Sequence, residues 1–285
     1  MKKILSVALS FLFVSMATAQ LSDVREILNK SVAATSSMKG CVYIMKGTER
    51  VPNKSTFIKL EMLSKVNTSP LKIYSKVLAD PNKGTELLYV KGERGDKIKV
   101  NPGKFLPTLN LAYNSSLLTK DQHHTLLSSG FSFFSRLIKD GMAEADAQKR
   151  FNEVFKLEGE VTFEGVKCYK VIITDPTYGY KDALGQANDN LHTFCQRNLV
   201  PEIKVMELNP WIKNFETSLA GKTIKVPTSY AKKSTIYINQ TNFYPIFQEM
   251  YDDKGLYEKY EYSGLKVNPV FKADEFTEDF SEYNF

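Results

Sequence analysis

Cysteine is nearly missing from this 285-residue sequence: Cys41, Cys168 and Cys195 stand far apart, and no CxxC pair occurs. That excludes a cysteine-rich zinc module and a disulfide-stapled mini-protein, and it leaves at least one thiol unpaired in any oxidised form. Cys41 and Cys168 fall in expected strands and could pair if those strands are neighbours; three buried free thiols are the alternative. Histidine is equally scarce, at His123, His124 and His192. The chain also lacks a GxSxG elbow, an HExxH helix motif and a phosphate-cradling GxxxxGK[ST] loop. In "KDQHHT", neighbouring strand residues would point to opposite faces, which argues against His123 and His124 sharing one metal unless the loop bends. Loop-capping hydrogen bonds are the expected role. The sequence therefore predicts a non-enzyme with no catalytic residue, metal or cofactor, and a hydrolase working through the His123–His124 loop ranks last among its readings.

Strong charge of one sign is absent as well. The formal charge is +6, and loss of Lys2 and Lys3 with an N-terminal leader would lower it to +4. Lysines alternate with apolar residues along the strands, the pattern of a solvated sheet face and not of a nucleic-acid patch. No run after residue 20 is long and apolar enough to span a bilayer. The start, "MKKILSVALSFLFVSMATAQ", has a basic end, an apolar stretch from Ile4 to about Val14, and Ala17 and Ala19 spaced for signal peptidase. It predicts a signal peptide over 1–19, cleavage after Ala19 and a periplasmic mature chain. No cysteine lies next to the cut to carry a lipid.

What is present is mostly period-two hydrophobicity. "LSDVREILNKSVAATSS" first reads as an amphipathic helix with Ser22 as its N-cap. From Gly40 onward, "TFIKLEML" sets Ile58, Leu60 and Met62 against Lys59 and Glu61, and "LKIYSKVL" sets Leu71, Ile73 and Val77 against Lys72 and Lys76. Turn-rich joints at "DPNKG" and "GERGD" make an antiparallel meander the simplest topology. A long mixed loop is expected from Asn101 to Gly130, then a second amphipathic helix carrying Phe134, Leu137, Ile138 and Met142. Strands resume at "EVTFEG" and "VKCYKVIITD", break off near Tyr178, and return after Ser229. With 178–229 removed, "YKVIITDP" runs into "KKSTIYIN" as a hairpin, so those residues read as an insert at its tip. The insert has the order strand, helix, helix, strand. The acidic end, "ADEFTEDFSEY", is expected to pack Phe271, Phe276 and Phe280 back on the sheet.

Within the insert, "NLHTFCQRNLVPEIKVMELNPWIKNFETSLAGKTIKVP" resembles the LysM module. The likeness is carried by Leu191 and Cys195 in the first helix, Leu208-Asn209 ending the second, then Leu219, Gly221, Ile224, Val226 and Pro227. Its start departs from the pattern, with Asn188 standing where Gly is common. The resemblance implies binding of peptidoglycan or another N-acetylglucosamine-containing glycan between two loops, here Asn188, Asp189 and Asn190, and Pro210, Trp211 and Ile212. Amides and a carboxylate suit sugar hydroxyls, and the one Trp can cover a ring face. A Trp beside Pro also suits ordinary packing, and the module could serve as a spacer.

The remainder, 20–177 and 230–285, resembles exported Gram-negative proteins of unknown function related in pattern to the LolA and LolB lipoprotein carriers. The residues are "MKGCVYIMKGTERV", "PLKIYSKVLADPNKGTELLYVKG", "NPGKFL" and "YPIFQEMYDDKGLYEKYEYSGLKVNPVFKADEFTEDF". This implies an α+β fold, a curved antiparallel sheet forming an open half-barrel closed by helices, with the small βααβ LysM-like insert. It also implies lipid or lipoprotein acyl chains as partners. Periodicity alone fits a closed core equally well, and a cell-envelope interaction scaffold without a lipid ligand is the rival.

Overall fold

A computed structural model describes residues 23–103 and 106–285; the expected leader and its cut after Ala19 lie outside the described residues. The first helix, α1 (Val24–Ser36), is capped by Asp23, which is extended and whose carboxylate turns back to accept from the Arg25 N–H; Ser22, the expected cap, lies outside the described residues. Arg25 then pairs with Asp146 and lies 3.6 Å over the Phe151 ring, tying α1 to the second long helix, α3 (Ser132–Ala147).

Six strands follow α1 as an antiparallel meander: β1 (Gly40–Arg50), β2 (Phe57–Thr68), β3 (Leu71–Val77), β4 (Glu86–Val90), β5 (Lys97–Asn101) and β6 (Leu109–Ala112). β7 (Phe155–Phe163), β8 (Val166–Thr174), β11 (Lys233–Asn239), β12 (Pro245–Asp252) and β13 (Gly255–Val267) complete one curved eleven-stranded sheet, ordered β6-β5-β4-β3-β2-β1-β13-β12-β11-β8-β7. The expected long loop after Asn101 is in fact partly structured. It contains β6, the one-turn helix α2 (Ser116–Thr119) and a 3-10 turn at Leu126–Ser128. β6 has only four residues, too few for alternation to stand out.

The two faces of the sheet are covered differently. On one, α1, α3 and the one-turn α4 (Phe151–Val154) fill the β8–β11 end: Ile27, Leu28, Phe134, Ile138 and Met142 pack against Val171, Ile236 and Ile238. On the other, the C-terminal segment covers β3 and β4, with Phe276, Phe280 and Tyr283 against Tyr74, Leu88 and Val90. Tyr74 and Tyr283 stack at 3.6 Å and 7°. Every residue of β4 is consequently buried, and its Glu86 is satisfied by Lys76 at 2.8 Å and by the backbone and side-chain N–H groups of Asn284. All three cysteines are free and buried, and burial pushes the Cys41 thiol up to about 12.

β8 and β11 pair directly, Val171 opposite Ile236, although the insert separates them in sequence. The insert comprises β9 (Tyr180–Leu184), α5 (Leu191–Asn198), α6 (Glu202–Leu208) and β10 (Thr223–Pro227), with β9 and β10 antiparallel. Its core joins Leu191, Phe194, Val205, Phe215, Leu219 and Ile224 to Tyr257, a residue of β13. Asn209 explains the Leu-Asn pair: its amide donates to the carbonyls of Val205 and Lys225 and accepts from the Lys225 N–H, stitching the end of α6 to β10. Gly185 has no room for a side chain, because a Cβ there would sit 1.8 Å from the Leu219 carbonyl oxygen.

Candidate binding cavity and its polar wall

The helices that fill one end of the sheet leave the other hollow. A cavity of about 680 Å³ opens between the inner face of the meander and the segment from α2 to the start of α3. Ile58, Leu60 and Met62, the face that period-two reading assigned to β2, form one side with Leu87 and Val100; Leu117, Leu118, Leu126 and Phe133 form the other. This volume lies within the range of small-molecule sites, and such lining favours apolar matter. Leu117 is 73% exposed at the rim, so the space communicates with solvent.

One wall is different. Glu49 of β1 and Glu258 of β13 are register partners across neighbouring strands, both nearly inaccessible. Like charges set opposite one another repel, and burial adds to the cost. His123 resolves the conflict: its backbone N–H donates to Glu49 at 2.8 Å, and its Nδ1 meets Glu258 at 2.8 Å. The other ring nitrogen, Nε2, faces the Arg50 carbonyl oxygen at 2.8 Å. Both partners only accept, so both ring nitrogens carry hydrogen and His123 is an imidazolium. Burial pulls its pKa down, but the hydrogen bond to Glu258 and the charges of Glu49 and Glu258 raise it above the usual value.

His124 approaches the same carboxylate, with Nε2 3.3 Å from Glu258, while Nδ1 lies 3.8 Å from Glu202 of α6. Burial again opposes its charge, yet Glu258, with Glu202 and Glu49 behind it, pushes the pKa up to about 9. The strand geometry that would send the two histidines to opposite faces therefore does not hold. They lie in a bend, and both rings converge on Glu258. Glu258 itself is held well below the usual carboxylate range: burial raises it, and the charge of His124 and the hydrogen bond from His123 outweigh that. Tyr260 donates to Glu49 at 2.6 Å, and Tyr230 to Glu258 at 2.7 Å. Among the described residues no group of three or more His, Cys, Asp or Glu is arranged to hold a metal ion.

A second buried ion network seats the insert on the sheet. Arg50 grips Asp252 with both terminal nitrogens, at 2.9 and 2.5 Å. Lys204 of α6, 1% exposed, meets Asp252 at 3.1 Å and also Asp253. Burial raises the Asp252 pKa, but these partners bring it down to about 2. Glu202 adds a third link, sitting between His192 of the insert at 3.2 Å and His124.

The residues expected to contact a glycan are deployed unevenly. Asn188, Pro210 and Trp211 are exposed, Trp211 by 43%. Asp189 is buried and accepts from the Gln186 N–H and from Arg197. Asn190 caps α5 in a reciprocal box with Thr193 and donates to the Tyr113 hydroxyl at 2.9 Å. Ile212 is 2% exposed in the insert core. The sequence reading missed Glu49, Glu258, Tyr230 and Tyr260. One signal was present: in "LYEKYEY", Glu258 shares its strand face with Tyr260 and Tyr262, an acid on an otherwise aromatic stripe.

A sequence model of DUF1571, described as a protein of unknown function, matches residues 39–184, just over half of the chain. The chain belongs to the DUF1571 family. In this DUF1571 protein the matched span runs from β1 to β9, so Glu49, His123 and His124 lie inside it while Tyr230, Glu258 and Tyr260 lie beyond it. No curated protein matches the chain. Among solved structures, the lipoprotein LppX of Mycobacterium tuberculosis is similar at 14% identity and TM-score 0.42, over 88% of this chain and 98% of that one. A domain of an outer membrane lipoprotein-sorting protein from Vibrio parahaemolyticus aligns at 10% identity and TM-score 0.35, over 90% and 97%. The MucA/MucB complex of Pseudomonas aeruginosa aligns at 10% and 0.40, over 90% of this chain and 60% of that one. At these scores the likenesses carry no argument about function, which rests on the cavity.

Proposed function

We propose that this protein is a non-enzymatic periplasmic binding protein, LolA-like in its half-open sheet, which carries or senses a lipid or a lipidated protein. The cavity carries the reading: a plain structural sheet has no need of about 680 Å³ of apolar-lined space at its centre. If each methylene-sized group takes roughly the 30 Å³ of a water in the liquid, the space suits on the order of 20 such groups, the scale of one acyl chain and its linker. No helix among the described residues is long and apolar enough to cross a membrane. The LysM-like insert gives the carrier a means of attachment to peptidoglycan, with Trp211 and Asn188 as its exposed contacts.

Two experiments test these parts separately. Mass spectrometry of protein purified from native membranes should find a co-purifying lipid, and an empty preparation that also fails to take up added lipid refutes the carrier reading. Trp211→Ala should lower retention on purified peptidoglycan. Equal retention of both proteins, or none of either, removes the glycan contact. A cell-envelope scaffold with a closed core is the rival, and the open space beneath β2 to β5 argues against it.

A further inference from the structure

We propose that the polar wall of the cavity selects the head of the bound amphiphile, favouring an uncharged, hydroxyl-bearing head over one with net charge. The proposal rests on the lipid-cavity reading and adds the ligand's class to it.

A carrier of bare acyl chains has no use for ionised groups beside its cavity, because burying them costs several kcal/mol each in lost hydration. Yet Glu49, Glu258, His124, Tyr230 and Tyr260 all line this one. At this wall the buried charges balance, with Glu49 and Glu258 against the imidazoliums of His124 and of His123, which lies just behind the lining. The other charged lining residues, Lys59, Glu61, Asp80, Lys120 and Asp121, are exposed or half-buried, where water satisfies them. Glu202 lies behind, between His124 and His192, outside the cavity lining. A head with net charge placed against such a wall loses its hydration and finds no surplus counter-charge. An uncharged head meets partners of its own kind. The tyrosine oxygens retain accepting capacity, Gln248 offers an amide from a 5% exposed position, and the buried hydroxyls of Thr125 and Ser128 have no hydrogen-bond partner among the described residues. The apolar side chains of the lining, Ile58, Leu60, Met62, Leu87 and Val100, receive the chain.

The test uses the full mature protein loaded with the uncharged fluorophore N-phenyl-1-naphthylamine, displaced by amphiphiles sharing one 16-carbon chain length. 1-Monopalmitoylglycerol should displace it at about tenfold lower concentration than either palmitate or hexadecylamine. A charged competitor that matches or exceeds the monoglyceride overturns the proposal. Glu258→Gln leaves positive charge in excess and should swing the ranking towards palmitate; Glu49→Gln does the same if the first variant fails to fold. An unchanged ranking in a folded variant overturns the role given to this wall. Failure of the fluorophore and of every competitor to bind wild-type protein overturns the lipid-cavity reading itself, and this proposal with it.

Discussion

Lys204→Met tests whether the insert is an appendage or part of the sheet's cooperative unit. Methionine keeps the length of the side chain and removes the charge from a position that is 1% exposed. Asp253 loses Lys204 but keeps the Tyr180 hydroxyl at 2.6 Å and is 42% exposed, so water takes over. Asp252 is the group left short, though it keeps both Arg50 contacts and the Lys254 N–H at 2.8 Å. Removing one member of a buried ion pair costs ~3–5 kcal/mol, and the surviving partners put this case at the lower end, about 3 kcal/mol. For a domain of this size that corresponds to a Tm lower by about 6–12 °C. Trp211, the one Trp, lies in the insert and reports its unfolding by fluorescence, while far-UV circular dichroism follows mainly the sheet. The wild-type transitions should coincide in urea. In the variant the fluorescence midpoint should fall by more than the dichroism midpoint. If neither moves, or if both move equally, the ion network does not hold the insert in place as argued.

Three further outcomes follow from single positions. His124 binds its proton more tightly in the folded chain, with a pKa raised from 6.5 to about 9, so its contribution to stability is complete below about 6.5 and is lost as pH rises through about 9. Glu258 is shifted the opposite way, so its contribution is complete above 4.5 and declines as pH falls. Urea midpoints should therefore peak between these limits, and His124→Gln should flatten the decline between about pH 7 and pH 9; an unaltered alkaline limb counts against the coupling. Gly185→Ala forces β9 away from the Leu219 carbonyl and should lower the unfolding free energy read by Trp211 fluorescence by about 2 kcal/mol, and a neutral result contradicts the close approach. Leu60→Trp fills space at a half-buried position on the cavity wall. It should reduce co-purifying lipid with little change in Tm, and undiminished lipid would place the ligand elsewhere.

Much of the sheet was legible because its strands alternate: Ile58, Leu60 and Met62 do face the cavity together. The pairing of β8 with β11 across the insert could also be read, since both halves of that hairpin are long and periodic. The polar wall was not legible, for its members come from distant parts of the chain. His123 and Glu258 are 135 residues apart, and Glu49 and Tyr260 are 211 apart. Short-range spacing holds no trace of such meetings. The insert shows a different limit. The residues Asp189 and Asn190 suit a sugar by chemistry, but the same carboxylate and amide suit loop and helix-cap bonds, and the chain uses them there.

The neighbour relations of β1 bear on how the chain comes to fold. β2 can pair with β1 as soon as their turn forms, but the other side of β1 waits for β13, near the end of the chain. At ~5–20 residues per second of synthesis, a separation of 211 residues keeps that edge open for on the order of 10 s or longer. An open strand edge is a template for pairing with foreign chains. The meander is therefore most vulnerable before its last strand arrives, and a chain truncated ahead of Gly255 should aggregate through β1 even though every strand from β1 to β12 is present.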